Sequence, residues 1–221
     1  MIAPEANAEF VCAMEDVLEL YHEAYDPLRP VVCFDESPKQ LIRETRTPLP
    51  MRRGEPLRYD YEYERQGTCN LFMFFQPLCA WRHVEVTDHR TMIDYAHCMR
   101  DLVDLFFPDA EVVRVVQDNL STHKPAALYE TFPPAEARRI LERLEFHFTP
   151  KHGSWLNMAE IELNVVNGQC LDRRIADKEM LITEVSAWQR KRNQQASTVH
   201  WQFTTANARI KLRKLYPSFH E

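Results

Sequence analysis

Glycine is scarce: only 4 of 221 residues are Gly, and neither GxGxxG nor GxxxxGK[ST] occurs. Phosphate cradles of the Rossmann or P-loop kind are therefore not expected, because both use glycine to bring backbone against the phosphate. No apolar run approaches the ~18 residues that cross a bilayer. The opening MIAPEANAEF has no basic start followed by an apolar stretch, so neither a membrane span nor a secretory signal is expected. The six cysteines (Cys12, Cys33, Cys69, Cys79, Cys98 and Cys170) form no CxxC or CxxH pair. A zinc site or disulfide framework is not indicated, and a reducing cytoplasm is the default. Excess positive charge is also missing. The net charge of −6 argues against a protein that simply coats nucleic acid, since phosphate neutralisation needs surplus Lys and Arg.

What is present is a core. Hydrophobic residues make up 45% and aromatics 11%, which excludes a disordered chain. Residues 8–22 read as a helix capped by Asn7, with Phe10, Met14, Val17 and Tyr21 on one face. Val31–Phe34 reads as a short strand ending on Asp35-Glu36, followed by a polar, proline-containing stretch to about Arg58. Tyr59–Tyr63, Cys69–Phe75 and Ala80–Thr87 read as strands, the last two joined at Gln76-Pro77 and paired antiparallel. Thr91–Phe107 is an amphipathic helix facing inward through Met92, Tyr95, Met99, Leu102 and Phe106. Val112–Gln117 is a strand apolar enough to be covered on both faces. A helix over Pro134–Leu144, a strand over Glu145–Phe148, and a turn and helix over Gly153–Val166 with Ser154 as N-cap come next. A helix over Lys178–Arg192 and a basic helical tail over Phe203–Pro217 complete the chain. Strands come first and then alternate with helices, which predicts a single α/β domain, residues 1–221, with a mixed sheet between helices.

Chemistry concentrates in VVRVVQDNLSTHKP, residues 112–125. A β-branched run stops on Asp118-Asn119, with His123 close behind. Asp35 ends the earlier strand in the same way. If the two strands lie parallel and adjacent, both acids emerge at one sheet edge. A helix packed on that edge could add Glu160 or Glu162. These flank the stripe Leu156, Ala159, Leu163 and Val166 on opposite sides at ~100° per residue, so helical geometry leaves the choice open. Taken singly, an Asp at a strand end is more often a turn or cap residue, and either glutamate fits a solvated helix face. Three converging carboxylates repel unless a cation lies between them. Hard divalent ions take oxygen ligands, and a pair of them activates water and stabilises the leaving oxygen of a phosphodiester.

Four stretches carry a resemblance: VVCFDESPKQL around Asp35, VVQDNLSTHK around Asp118, HGSWLNMAEIE around Glu160, and WQFTTANARIKLRKLYP near the end. They are similar to the DDE transposases of the mariner superfamily, specifically the bacterial insertion-sequence branch (the IS six-thirty family). The family's spacing puts the third acid three residues after Leu156-Asn157, which selects Glu160. Met158-Ala159 and Ser37-Pro38 depart modestly from the family's usual residues.

The resemblance implies a ribonuclease-H-like fold with a mixed five-stranded sheet. Asp35, Asp118 and Glu160 would be catalytic and metal-ligating, holding two Mg²⁺ (or Mn²⁺) ions. The implied activity is cleavage of DNA at transposon ends and strand transfer by the freed 3′-hydroxyl. Asn119 would hold a metal-bound water or the scissile phosphate. His123 would contact DNA or support Asp118, and Asn157 would hydrogen-bond in the site or cap its helix. Arg209, Lys211, Arg213 and Lys214 would track phosphates. Trp155 is expected in the core, while Trp201 could stack on bases. DNA, both transposon ends and target, is the implied partner, with a homodimer in prospect and no membrane. Localisation would be bacterial cytoplasm, associated with the nucleoid. The family's helix-turn-helix module is not in this sequence, so a separate DNA-binding polypeptide, a frameshift partner or a truncated copy is expected. Two rival functions keep the same residues: a two-metal nuclease without transposition, and a non-catalytic regulator that pairs with full-length transposase.

Overall fold

The computed structural model describes residues 6–56, 58 and 60–218. Helix α1 (Ala8–His22) starts as expected, with Asn7 extended and its Oδ1 accepting the Phe10 amide at 3.0 Å. The elements that follow are β1 (Val31–Glu44), β2 (Tyr63–Gln76), β3 (Trp81–Thr87), α2 (Met92–Asp101), β4 (Val113–Gln117), α3 (Ala126–Thr131), α4 (Pro134–Leu141), β5 (Leu144–Phe148), α5 (Met158–Val166), α6 (Lys178–Gln194) and α7 (Thr205–Lys211). One mixed sheet forms in the order β3-β2-β1-β4-β5. β1 to β3 are an antiparallel meander, and β4 and β5 join β1 in parallel. This is the expected mixed five-stranded sheet with helices on both faces.

Side-chain alternation sorts the two layers. Cys33 and Val116 point into one core, with Met14 and Val17 of α1 and Ala159 and Leu163 of α5. Val32, Phe34, Val113 and Val115 point into the other, with Tyr95 and Met99 of α2 and Ile140 of α4. β4 is buried along its whole length, as its β-branched run requires.

Several boundaries differ from the sequence reading. β1 does not end at Phe34 but continues to Glu44, so Asp35 lies within a strand. Antiparallel pairing with β2, from Cys33↔Phe75 to Glu44↔Tyr63, carries the polar stretch. Pro38 is accommodated because the parallel ladder with β4 stops at Cys33↔Val116, leaving one side of β1 without a neighbour. Of the strand read as Tyr59–Tyr63 only Tyr63 is in a strand, as the first residue of β2, which runs on through the expected Cys69–Phe75, while residues 60–62 are irregular. Tyr59 lies outside the described residues. The amphipathic helix closes with a π-helical turn, Leu102–Phe106, and Met92 on its supposed inner face is exposed. Helix α3 has no counterpart in the sequence reading, and α4 stops at Leu141. Ser154 opens a 3₁₀ turn, and Asn157 caps α5 in its place. Among the described residues no helix is long and apolar enough to cross a membrane.

Candidate active site

The β1–β4 register brings the first two acids together. Val31 pairs with Arg114 and Cys33 with Val116. The same offset carried two residues further sets Asp35 level with Asp118, beyond the last rung. Both share the side-chain parity of Cys33 and Val116, so both face the layer that contains α5. Glu160 occupies the first turn of α5. Burial pushes the Asp35 carboxyl up to about 7. The Glu36 amide, donating to Asp35 Oδ1 at 2.9 Å, opposes this, and the charges of Glu36, Asp118 and Glu160 add to the rise. The charges of Asp118 and Glu160 thus both reach Asp35.

Asn157 ties the third acid to the first. Its Nδ2 donates to the Phe34 carbonyl at 2.8 Å, one residue before Asp35, while its Oδ1 accepts the Ala159 amide at 3.1 Å. It therefore caps α5 and ties that helix to the strand that carries Asp35. The Tyr21 hydroxyl donates to the Leu156 carbonyl at 2.8 Å, fixing the same junction from α1. The start of α5 is therefore held by β1 and α1 together.

His123 sits on the other side of the sheet edge. Its ring stacks on Tyr95, with centroids 5.0 Å apart, and meets Phe34 edge-on. Nδ1 lies 2.6 Å from Asp118 Oδ1, and Nε2 lies 3.1 Å from Glu36 Oε2. Burial pulls the imidazole pKa down, but the two carboxylates override it and raise it to about 9. His123 is thus an imidazolium at neutral pH, donating toward both acids. The backbone of its loop is fixed too, since Gln117 Nε2 donates to the His123 carbonyl and Tyr95 donates to Gln117.

Glu36, Asp118 and His123 offer ligand atoms within 4.8 Å of one another, which are residue types that hold metals. A metal-ligating histidine needs a free neutral nitrogen, and here both nitrogens face carboxylates. The imidazolium itself supplies the cation in that group. Asp35, Asp118 and Glu160 differ: they present only carboxylate oxygens, and no side-chain cation contacts Asp35 or Glu160 among the described residues. The Asp35 carboxyl, raised to about 7 mainly by burial and further by its acidic neighbours, has no side-chain cation among the described residues to offset that negative potential. Oxygen-only donors in such a potential fit a hard divalent cation.

Glu162, two residues along α5, has a different environment. It is 1% exposed. Its Oε2 lies 3.0 Å from Nε of fully buried Arg82 on β3, and its Oε1 accepts from Arg192 Nη2 on α6 at 2.9 Å. Arg82 also donates to Asn193 Oδ1 and to the Ser197 carbonyl. These arginines give Glu162 partners that Glu160 lacks; they lie 80 residues before and 30 residues after Glu162 and left no local signal.

The remaining predicted residues are dispersed. Asn119 is exposed beside Asp118. Arg209 forms a two-pronged pair with Glu15 of α1 at 2.9 and 2.8 Å. Lys211 lies over the Phe203 ring, while Arg213 and Lys214 are exposed in a 3₁₀ turn. None of these four contacts the acids. Trp155 and Trp201 stack on each other, and Trp201 also packs on Tyr21, so both belong to the core on the α1 side.

A family model described as DDE superfamily endonuclease matches residues 30–182. A comparison with curated proteins found no match. Among solved structures, the mariner Mos1 paired end complex with Mg is similar at 15% identity and TM-score 0.60, covering 99% of this chain and 66% of that one. The Mos1 strand transfer complex is similar at 13% identity and TM-score 0.56, covering 89% and 61%. The Mos1 mariner paired end complex with Mn is similar at 16% identity and TM-score 0.54, covering 89% and 61%. The chain spans roughly three-fifths to two-thirds of the length of these neighbours. The likeness establishes the fold, which is ribonuclease-H-like.

Proposed function

The chain belongs to the DDE superfamily endonucleases, and from that premise we propose that it is the catalytic domain of a transposase of the bacterial insertion-sequence branch. It would cut DNA at the ends of an insertion sequence and join the freed 3′-hydroxyl to target DNA. Asp35, Asp118 and Glu160 would hold two Mg²⁺ or Mn²⁺ ions. Bound there, the ions would supply an activated water or hydroxyl and stabilisation for the leaving oxygen of the phosphodiester.

The chain's own residues do the positioning. Parallel β1 and β4 hold two acids at one level, and Asn157 holds the third against them. The His123 imidazolium fixes one oxygen of Asp118. Asn119, exposed next to Asp118, would orient a water or a phosphate oxygen. The observation that supports the reading is the approach of Asp118 and Glu160 to a buried Asp35, raised to about 7 by burial and by their charges, with no side-chain cation on Asp35 or Glu160 among the described residues.

The test is strand cleavage of duplexes carrying terminal repeats, with Mg²⁺ or Mn²⁺ and with chelator. Cleavage and joining that depend on the ion, and that fall below detection in Asp118→Asn, are expected. Cleavage that survives this substitution overturns the assignment. Ion-dependent cutting without joining would instead favour the nuclease reading, and a folded but inert protein would favour the regulator.

A further inference from the structure

Beside the acids, on the α1 side, lies a cavity of about 500 Å³ whose lining includes Phe10, Glu9, Phe148, Asn119, Lys151 and His152. Its position follows from the sheet. β4 and β5 pair through Gln117↔Phe148, and the Thr149 amide continues the ladder by donating to the Gln117 carbonyl at 2.9 Å. The next residue on one strand is Asp118, and on the other the chain enters the turn Pro150–Gly153. The cavity therefore opens at the same edge as the acids, one strand over.

That turn is built tightly and under strain. The Gly153 amide donates to the Pro150 carbonyl at 2.7 Å. A Cβ at Gly153 would meet Pro150 Cγ at 2.5 Å, so only glycine fits there. His152 is held at φ +66°, a left-handed conformation that glycine or asparagine adopts more readily. Strain kept by a non-glycine residue points to a role for its side chain. The consequence is display: Lys151 and His152 are both exposed, and neither has an ion-pair or hydrogen-bond partner among the described residues. Other basic side chains are held in ion pairs, Arg82 and Arg192 with Glu162 and Arg209 with Glu15.

We infer that this cavity is the subsite for the DNA strand next to the bond being cut, with Lys151, His152 and Asn119 holding the adjacent backbone phosphate. The inference rests on the transposase reading and deepens it. Three acids at the reaction centre repel a polyanion, and a cation one phosphate away offsets that repulsion without entering the metal site. Lys151 supplies a point charge and His152 an N–H donor. The cavity is too wide for a lone ion and in the range of pockets that hold small organic groups.

The experiment measures binding of a fluorescent DNA duplex by anisotropy at low salt in chelator, for wild type, Lys151→Ala/His152→Gly, and Lys191→Ala on α6 as a control. The double variant should bind at least tenfold more weakly, and its plot of log affinity against log salt should flatten by about one for each phosphate no longer held. The control should stay within twofold. His152→Gly alone should raise Tm, because it releases the left-handed strain, while still weakening DNA binding. A residue that merely shaped the turn would not separate those two readouts. Unchanged affinity and salt slope in the double variant, with wild type cleaving DNA normally, would overturn the subsite alone. A wild type that neither binds nor cuts DNA would overturn the subsite and the transposase reading together.

Discussion

Glu160 and Glu162 stand two residues apart on α5 and have opposite surroundings. Glu162 points at Arg82 and Arg192, is 1% exposed, and has its charge matched on both oxygens. Glu160 has no such partner, and its charge adds to the burial that raises the Asp35 carboxyl to about 7. About half a turn of helix thus separates a structural ion cluster from the group of acids proposed to take a cation from outside. Glu162 carries its counter-charge with it, whereas Asp35 and Glu160 have no side-chain cation in contact among the described residues. The two also cooperate, since the arginine cluster anchors α5 to β3 and α6 and so fixes where Glu160 stands.

The comparison breaks most visibly if Glu162 is removed. Glu162→Ala leaves buried Arg82 without its partner and should destabilise the fold by ~3–5 kcal/mol, read by denaturant unfolding. Glu160→Ala in the same assay should be neutral or stabilising. Replacing Arg82 and Glu162 together by Met and Leu should recover most of the loss; failure to recover would mean that the cluster does more than neutralise itself.

A smaller effect of opposite sign is expected at Asp35. Its folded pKa is raised to about 7, against ~3.9 in an unfolded chain. Between those values the native state binds the extra proton, so stability falls as pH rises from about 4 to 7 and is flat above. Asp35→Asn should therefore raise the Tm of metal-free protein at pH 8 by several degrees, at ~2–4 °C per kcal/mol for a domain of this size. The gain should shrink toward pH 5. An equal gain at both pH values would show that the charge is not its source.

His123 gives the smallest and most local effect. Its folded pKa is about 9 against ~6.5 unfolded. Its contribution is fully present below about 6.5 and is lost as pH rises through 9. His123→Asn should flatten the pH dependence of Tm over that window, and an unaltered slope would remove the imidazolium from the account.

These contrasts also explain what can be read from sequence. Asp118 is legible because a β-branched strand that stops on a polar pair announces its own end. Asp35 is legible as a site residue but not as a mid-strand one: β1 continues past it because β2 supplies a ladder that no local residue advertises. Asn157 stands out in its motif, yet Ser154 competes for the cap, since both residue types cap helices and only the 3₁₀ turn distinguishes them. Resemblance separates Glu160 from Glu162, and the physical reason lies in Arg82 and Arg192, whose approach depends on the tertiary fold. Lys151 and His152 leave one signal, a proline-to-glycine turn just after a strand, but its strain exists only in the backbone angles.

The central claim is that the acids around Asp35 are incomplete without a divalent ion, and a metal titration followed by thermal unfolding tests it most directly. Wild type should gain several degrees in Tm with Mg²⁺ or Mn²⁺ at pH 8, gain less at pH 6 where Asp35 holds its proton, and gain nothing in Glu160→Gln, while Glu162→Gln, less stable from the outset, keeps its response to the ion. A Tm indifferent to the metal at both pH values, or an ion response lost with Glu162 and retained without Glu160, would contradict it.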